Sequence, residues 1–492
     1  MGFSQALSGV NAASQQLDTI GNNISNSQTK GFKSSSVQFA DVYAGSQIGL
    51  GTRVSGVLQD FTNGTLETTN RDLDLGISGD GFLRFVQGDQ VGYSRNGQLT
   101  MTADGYLANA QGAYLTGYNV SNFNSTDTTA TVPTGGLPEI IQLPSDSMIA
   151  KATQNASAAI DLDSSDAVPT RAFDPSNSAT YNYGTSSSVI DSQGNAYDLQ
   201  MFFIRADEAA DGSELSNAWT VETRVALGEN NTFPKTIDSL DGVTDPNFGG
   251  ADPASVTGGN GEYTVTSGGV NYIATVSGAT PTTDAAGNVT GYTGGSISYS
   301  AVLDSKMLQF DNNGQLSGIS TDGGLEFDNT TTATSYAFDP QNGAAPLSFD
   351  FDFAGSSQTA QDYATNSPQQ DGYTSGQLVG VSIDEDGTII GSYSNNQNIG
   401  LGRVVLADFS NPEGLESLGD NLWAETSASG QAVMGTAGSG RYGSLQSGTL
   451  EASNVDLTEE LVNLIIAQRN FQANTNTIKT QDEVMQTVVN LR

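Results

Sequence analysis

The chain has 492 residues, with 17 Lys and Arg against 54 Asp and Glu, no His and no Cys, giving a formal charge of −37 at pH 7. Without Cys there are no disulfides, thiolate metal sites or cysteine nucleophiles; without His, Ser-His-Asp catalysis and zinc hydrolysis are excluded as well. Phosphate binding needs clustered Lys and Arg, so no nucleic acid is expected as a partner, and nothing in the composition asks for a cofactor.

Residues 1–24 read as an amphipathic helix. Phe3, Ala6, Val10, Ala13, Leu17, Ile20 and Ile24 alternate spacings of three and four, the rhythm that keeps one stripe against a partner helix, while Ser4, Ser8, Asn11, Gln15 and Asp18 take the other side. Gly9 and Gly21 each cost about 1 kcal/mol relative to Ala. With Asn22-Asn23 following, such a helix is marginal alone and needs something to dock against. A second copy of the chain is the partner expected, so that order and assembly arrive together; pairing of the two terminal helices inside one monomer is the alternative. The N-terminus has neither a basic n-region nor an apolar h-region, and no run is long enough to span a membrane, so export without a cleaved signal and no membrane insertion are expected. Met1-Gly2 is not a myristoylation site, because Ala6 stands where Ser or Thr is required.

Residues 25–70 read as a polar connector containing Thr29-Lys30-Gly31-Phe32-Lys33. From 71 to 144 the signals are strands, with Asp80-Gly81, Asn96-Gly97 and Asp104-Gly105 as hairpin dipeptides, and Pro133, Pro138 and Pro144 mark the exit. Region 145–361 is rich in Gly, Ser, Thr and Asp. Its clearest strands are 200–204, 219–225 and 347–353, the last strictly alternating, and a Gly-rich stretch over 228–300 suggests an inserted lobe. Strand patterning returns over 362–453, through 379–383 and 403–406 with Asp386-Gly387 as the turn between. A second helix then runs to residue 492. Leu457, Leu461, Leu464, Gln468, Phe471, Thr475, Ile478, Asp482, Met485 and Val489 form its seam, and Asp456 with Glu459 forms a capping box.

The fold class expected is therefore mainly β with α-helical coiled-coil termini, nested and multi-domain. A helical domain comprises 1–24 with 454–492, then come a connector over 25–70, a β-domain over 71–144 with 362–453, and outer β-structure over 145–361. Chemical motifs dissolve on inspection. Asp384-Glu385-Asp386-Gly387 opens like a calcium loop, but Tyr393 takes the place of the bidentate Glu. Gly258-Gly259-Asn260-Gly261 has no neighbouring repeats, and the segments 191–194 and 311–314 read as turns. Carboxylates are abundant and nothing selects one pair, so no metal or catalytic residue is assigned.

Two longer motifs carry more. Residues 8–14, 17–26 and 29–33 together resemble the N-terminal signature of bacterial flagellar rod and hook proteins, and residues 453–457, 460–462 and 467–474 are similar to their C-terminal signature. Segments 372–378, 408–415 and 479–482 look hook-like. The resemblance covers roughly 1–120 and 365–492 and fades through the centre. It implies a subunit that stacks helically into a curved tube. Terminal helices would form the inner layer and β-domains the middle and outer layers, and the tube would act as a universal joint between rod and filament.

The same resemblance implies flagellar type III export, an extracellular hook between basal body and filament, and contacts with copies of itself, the distal rod protein, the hook cap protein and the hook-filament junction protein. The helix-packing residues expected to carry assembly are Phe3, Val10, Leu17, Ile20, Ile24, Leu457, Leu461, Leu464, Phe471, Ile478, Met485 and Val489. Residues 1–29 hold one charged side chain, Asp18, so Asn11 and Gln15 are the candidates to line an uncharged export channel. The alternatives are a distal rod protein, usually shorter and straight, or a secreted β-rich enzyme or adhesin with helical ends.

Overall fold

The computed structural model describes residues 2–42, 51–120, 132–144, 147–208, 214–229, 231–233, 261–267, 269–278, 280–283, 289–293, 296–320 and 327–490. The chain is mainly β, with one long helix at each end, and divides into two units. Unit 1 takes both ends, Met1–Asp146 and Gln377–Arg492, and unit 2 is the segment between, Ser147–Gly376.

In unit 1, helix α1 spans Gly2–Ser25 and helix α2 spans Leu457–Asn490. The start of α2 is set by Asp456, whose Oδ1 accepts the N–H groups of Thr458 (2.8 Å) and Glu459 (3.2 Å), two donors that the helix itself leaves unpaired. The polar connector is more ordered than its sequence suggests: Ser35–Asp41 and Thr52–Gln59 pair as an antiparallel ribbon with a bulge at Gln38/Phe39. Beyond it a 12-stranded sheet runs through Leu378–Ile383, Thr388–Tyr393, Asn398–Asp408, Tyr114–Asn119, Phe82–Gln87, Gln90–Ser94, Leu422–Ala424 and Glu416–Gly419. N-terminal and C-terminal strands interleave in it, so neither half of unit 1 has a complete sheet without the other.

Only one of the three hairpin dipeptides closes a hairpin. Asp104-Gly105 joins the paired strands Thr100–Met101 and Leu107–Ala108, with Gly105 N–H on the Thr102 carbonyl (3.0 Å). Asp80-Gly81 and Asn96-Gly97 instead turn the chain out of one sheet and into another, since Asp74–Ser78 and Gly97–Gln98 pair with each other and with Ser444–Ser447. The turn at Asp386-Gly387 leads into Thr388–Tyr393, a strand between the two expected there.

Unit 2 packs two sheets. One has seven strands, with Tyr183–Ile190, Ala196–Glu208, Glu214–Leu227, Ser296–Phe310, Val270–Ser277 and Gly261–Ser267 in order. The other centres on Asn155–Asp163, parallel to Leu347–Asp352 and Ser357–Thr359 and antiparallel to Ala364–Gln370. Alternation puts Leu347, Phe349 and Phe351 inside and Ser348 and Asp350 outside, facing a core that includes Phe203, Trp219 and Tyr299. Two expectations are corrected. The described strands of 228–300 do not form a separate lobe: Gly261–Ser267 and Val270–Ser277 extend the seven-stranded sheet, leaving Thr280–Thr283 with Val289–Thr293 as a hairpin off it. The return to unit 1 falls at 376/377 rather than 361/362, because Ala364–Gln370, polar and containing Pro368, is a ladder strand of unit 2.

The ends of unit 2 meet. Met148 and Gly376 exchange backbone hydrogen bonds (2.7 and 3.1 Å), as do Lys151 and Tyr373 (2.9 and 3.0 Å). Asp371 clasps this neck, accepting the N–H groups of Gln154 (2.8 Å) and Asn155 (2.9 Å) on Oδ1 and the Lys151 ammonium (3.0 Å) on Oδ2. Burial opposes ionisation there, but the Asn155 and Gln154 N–H groups and Lys151 outweigh it and hold the carboxyl at about 2. A depressed folded pKa stabilises above the unfolded value and loses that contribution as pH falls through the folded one. Asp371→Asn should therefore abolish a loss of unit 2 stability between roughly pH 4 and 2, read as the urea midpoint against pH. An unchanged pH profile would place the clasp elsewhere.

Candidate assembly surface

The two terminal helices lie antiparallel against each other. Asn23 Nδ2 donates to Glu460 Oε1 (2.7 Å), and Gly9 sits so close to α2 that a Cβ there would lie 2.8 Å from the Asn474 carboxamide. The partner of α1 within the chain is thus α2, the alternative pairing left open by the sequence. Of the expected stripe on α1, Ala6, Ala13 and Ile20 are buried, Val10, Leu17 and Ile24 are half-buried and Phe3 is exposed. On α2 the covered row is Glu460, Leu464, Ala467, Phe471, Asn474 and Ile478, with Ala467 fully buried.

The expected seam and the covered row take the same alternating steps and share Leu464, Phe471 and Ile478, but the covered row has Glu460, Ala467 and Asn474 where the seam had Leu461, Gln468 and Thr475. Leu464, Phe471 and Ile478 face α1, while Leu457, Leu461, Met485 and Val489 are exposed. A second apolar row, Leu461, Val462, Ile465 and Ile466, is also left uncovered, each side chain about half exposed. The helix register set by the 23–460 and 9–474 contacts carries Asp482–Asn490 past the start of α1. Asn11 and Gln15 lie on the exposed side of α1. Among the described residues, every exposed large hydrophobic except Ile149 belongs to unit 1.

What holds this helix pair at its root is polar. Asn23, 1% exposed, also brackets the first strand of the ribbon, donating to Ser35 O (2.8 Å) and accepting Ser35 N–H (3.0 Å). Glu451, six residues before α2, is buried between two cations: Oε1 accepts Lys33 Nζ (2.7 Å) and Gly64 N–H (2.7 Å), and Oε2 accepts Arg95 Nε (2.6 Å). All three charged residues are at most 3% exposed. Lys33 also donates to Thr62 O (2.6 Å), and Arg95 to Gly79 O (2.9 Å), Gly81 O (2.7 Å) and Asn63 Oδ1 (2.8 Å), so spare donors find carbonyls. Burial opposes ionisation of Glu451, yet Arg95 and Lys33 hold it below the usual carboxylate range; burial draws Lys33 below its usual value despite Glu451, and the neighbouring Arg95 adds to the fall.

Gly31 makes the approach possible. Its N–H donates to Glu451 O (2.8 Å) at φ +70°, and a Cβ would lie 2.6 Å from Asn96 N. Beside this knot, Phe61 of the connector packs edge-on against Phe82 (5.6 Å) and Trp423 (5.5 Å), whose Nε1 donates to Gln59 Oε1 (2.9 Å). The motif 29–33 is thus an anchor, a role that its sequence did not disclose. The calcium-like turn is a hairpin whose Asp386 accepts Thr388 N–H (2.9 Å) and Arg403 Nη2 (2.9 Å). Most of the Gly258–Gly261 motif lies outside the described residues.

Family models match along the chain: Flagella basal body rod protein over residues 4–33, Flagellar hook protein FlgE/F/G D1 domain over 76–156, Flagellar basal body protein FlaE D2 domain over 161–373 and Flagellar basal body rod FlgEFG protein C-terminal over 446–491. The flagellar hook proteins FlgE of Escherichia coli K12 and Salmonella typhimurium LT2 are each 41% identical to it, with 100% of both chains covered. The chain belongs to the flagellar hook protein family. That of Borreliella burgdorferi is 28% identical over 99% of this chain and 98% of its own. This hook protein is a structural subunit of the flagellum, and the rod alternative gives way to full-length relatives that are hook proteins.

Glu451→Gln removes the anion and leaves two buried cations. Breaking a buried pair in this way costs about 3–5 kcal/mol. Denaturant unfolding of the monomer should show that loss in unit 1 and leave unit 2 unchanged; a loss under 1 kcal/mol would mean that water reaches the knot.

Proposed function

We propose that this hook subunit polymerises through its terminal helices into a flexible curved tube, with copies of the uncovered α2 face packed on neighbouring subunits. The observation that carries this reading is the row Leu461, Val462, Ile465 and Ile466, left exposed on a helix whose other side is already packed. Contacts between different patches on successive copies do not close, which gives an open helical polymer. In that tube the helices form the inner layer, the ribbon and β-sheets of unit 1 the middle layer, and unit 2 the outer layer. Phe3, Leu457, Leu461, Met485 and Val489 meet other copies, while Val10, Leu17, Ile20, Ile24, Leu464, Phe471 and Ile478 keep α1 and α2 together.

The tube is a universal joint that carries torque from rod to filament while it bends. Unit 2, with almost no exposed large hydrophobic side chain among its described residues, suits contacts that slide and re-form through water. Its place is the extracellular hook, reached by flagellar type III export, between the distal rod protein and the hook-filament junction protein, with the hook cap protein at the growing end. Its role is mechanical and not enzymatic.

Two substitutions test the reading. Leu461→Asp changes an exposed site, so monomer stability should stay within about 0.5 kcal/mol, yet an unpaired carboxylate in a packed layer should stop tube formation in electron micrographs; normal tubes would sink the packing assignment. Asn11→Lys with Gln15→Lys should leave tubes intact but slow filament growth beyond the hook, most at low ionic strength where screening is weakest. Equal growth at low and high salt would remove these two residues from the channel wall.

A further inference from the structure

The C-terminal strand beside the buried knot is short. Thr449–Glu451 pairs with Leu66–Thr68, Leu66 opposite Glu451 and Thr68 opposite Thr449, with one further backbone hydrogen bond at each end, Thr69 N–H to Gly448 O and Ala452 N–H to Thr65 O (2.8 Å each). Just before it Gly448, at φ +71°, turns the chain out of Ser444–Ser447, which pairs with Leu75–Ser78. A ladder this short offers few hydrogen bonds against a shift of register. A slip of two residues keeps every side chain on its own face, so alternation does not oppose it, and it moves the strand by about 7 Å. Because α2 begins six residues later, it would carry α2 along α1 and separate Asn23 from Glu460 and Gly9 from Asn474.

We propose that Glu451, with Lys33 and Arg95, is a register pin: it allows one alignment of the N-terminal and C-terminal connectors and so sets the axial position of α2. A slipped strand withdraws the carboxylate from Lys33 Nζ and Arg95 Nε and leaves both cations buried. Single buried polar groups fix register in this way in helical assemblies. An apolar cluster of equal volume has no such preference, because burial is non-directional. The knot is therefore a positioning device for assembly, separable from its effect on stability.

The absence of Cys makes the register directly readable. Thr68→Cys with Thr449→Cys reports the native alignment, and Thr68→Cys with Ser447→Cys reports a two-residue slip. In the full chain only the first pair should oxidise to a cross-link. After Lys33→Met, Arg95→Met and Glu451→Leu together, the slipped pair should cross-link to at least a tenth of the yield of the native pair, and tube formation should fall at least tenfold even where the unfolding midpoint is kept. Should that triple variant not fold, Lys33→Met with Glu451→Gln, which leaves Arg95 a hydrogen-bond acceptor, should show the slipped cross-link. A variant that folds, cross-links only at 68–449 and assembles like the parent overturns the proposal.

Discussion

A buried carboxylate between two cations ties this chain together. Glu451 can satisfy its charge only when Lys33 from the N-terminal connector and Arg95 from the sheet are both in place, and neither cation has another anion beside it in the knot. Segments near residues 33, 64, 95 and 451 therefore come to one point or none of them is comfortable. Everything that unit 1 offers to a polymer hangs from that point: α1 leaves it on one side, α2 on the other, and the ribbon is clamped to it through Asn23 and Ser35. The helices carry exposed apolar side chains, and at their root Asn23 ties α1 both to Glu460 of α2 and to the ribbon.

The two units divide the physical labour. Unit 1 interleaves strands from both chain ends and carries nearly all the exposed apolar side chains among the described residues, whereas unit 2 buries its aromatic residues between two sheets. A subunit that must hold its neighbours permanently and also let them shift needs both kinds of surface. Apolar burial resists separation and scales with area, while polar contacts exchange with water at little net cost.

The sequence showed the terminal helices through their apolar period, the strand Leu347–Asp352 through its alternation, and the family through its two terminal signatures. The structure agrees on the helices and the strand, and the full-length relatives on the family. What stayed hidden shares one cause, the absence of a local signal. Lys33, Arg95 and Glu451 are single charges separated by up to 418 residues, and no window contains two of them. Ala364–Gln370 reads as part of the returning β-domain, because nothing local shows that this polar strand with Pro368 partners Asn155–Asp163 instead. The covered row of α2 was misplaced by one residue at every second step, because Leu461 is a stronger apolar signal than Glu460 and the buried Ala467 has too small a side chain to mark a seam.

The closed neck of unit 2 has a consequence for how such a chain can vary. Met148 and Gly376 lie within hydrogen-bonding distance of each other, so unit 2 enters and leaves through what amounts to a single socket. Any folded insert whose own ends meet can occupy that socket without pulling on unit 1. The segment between is free to grow, shrink or be exchanged while unit 1 keeps its sequence.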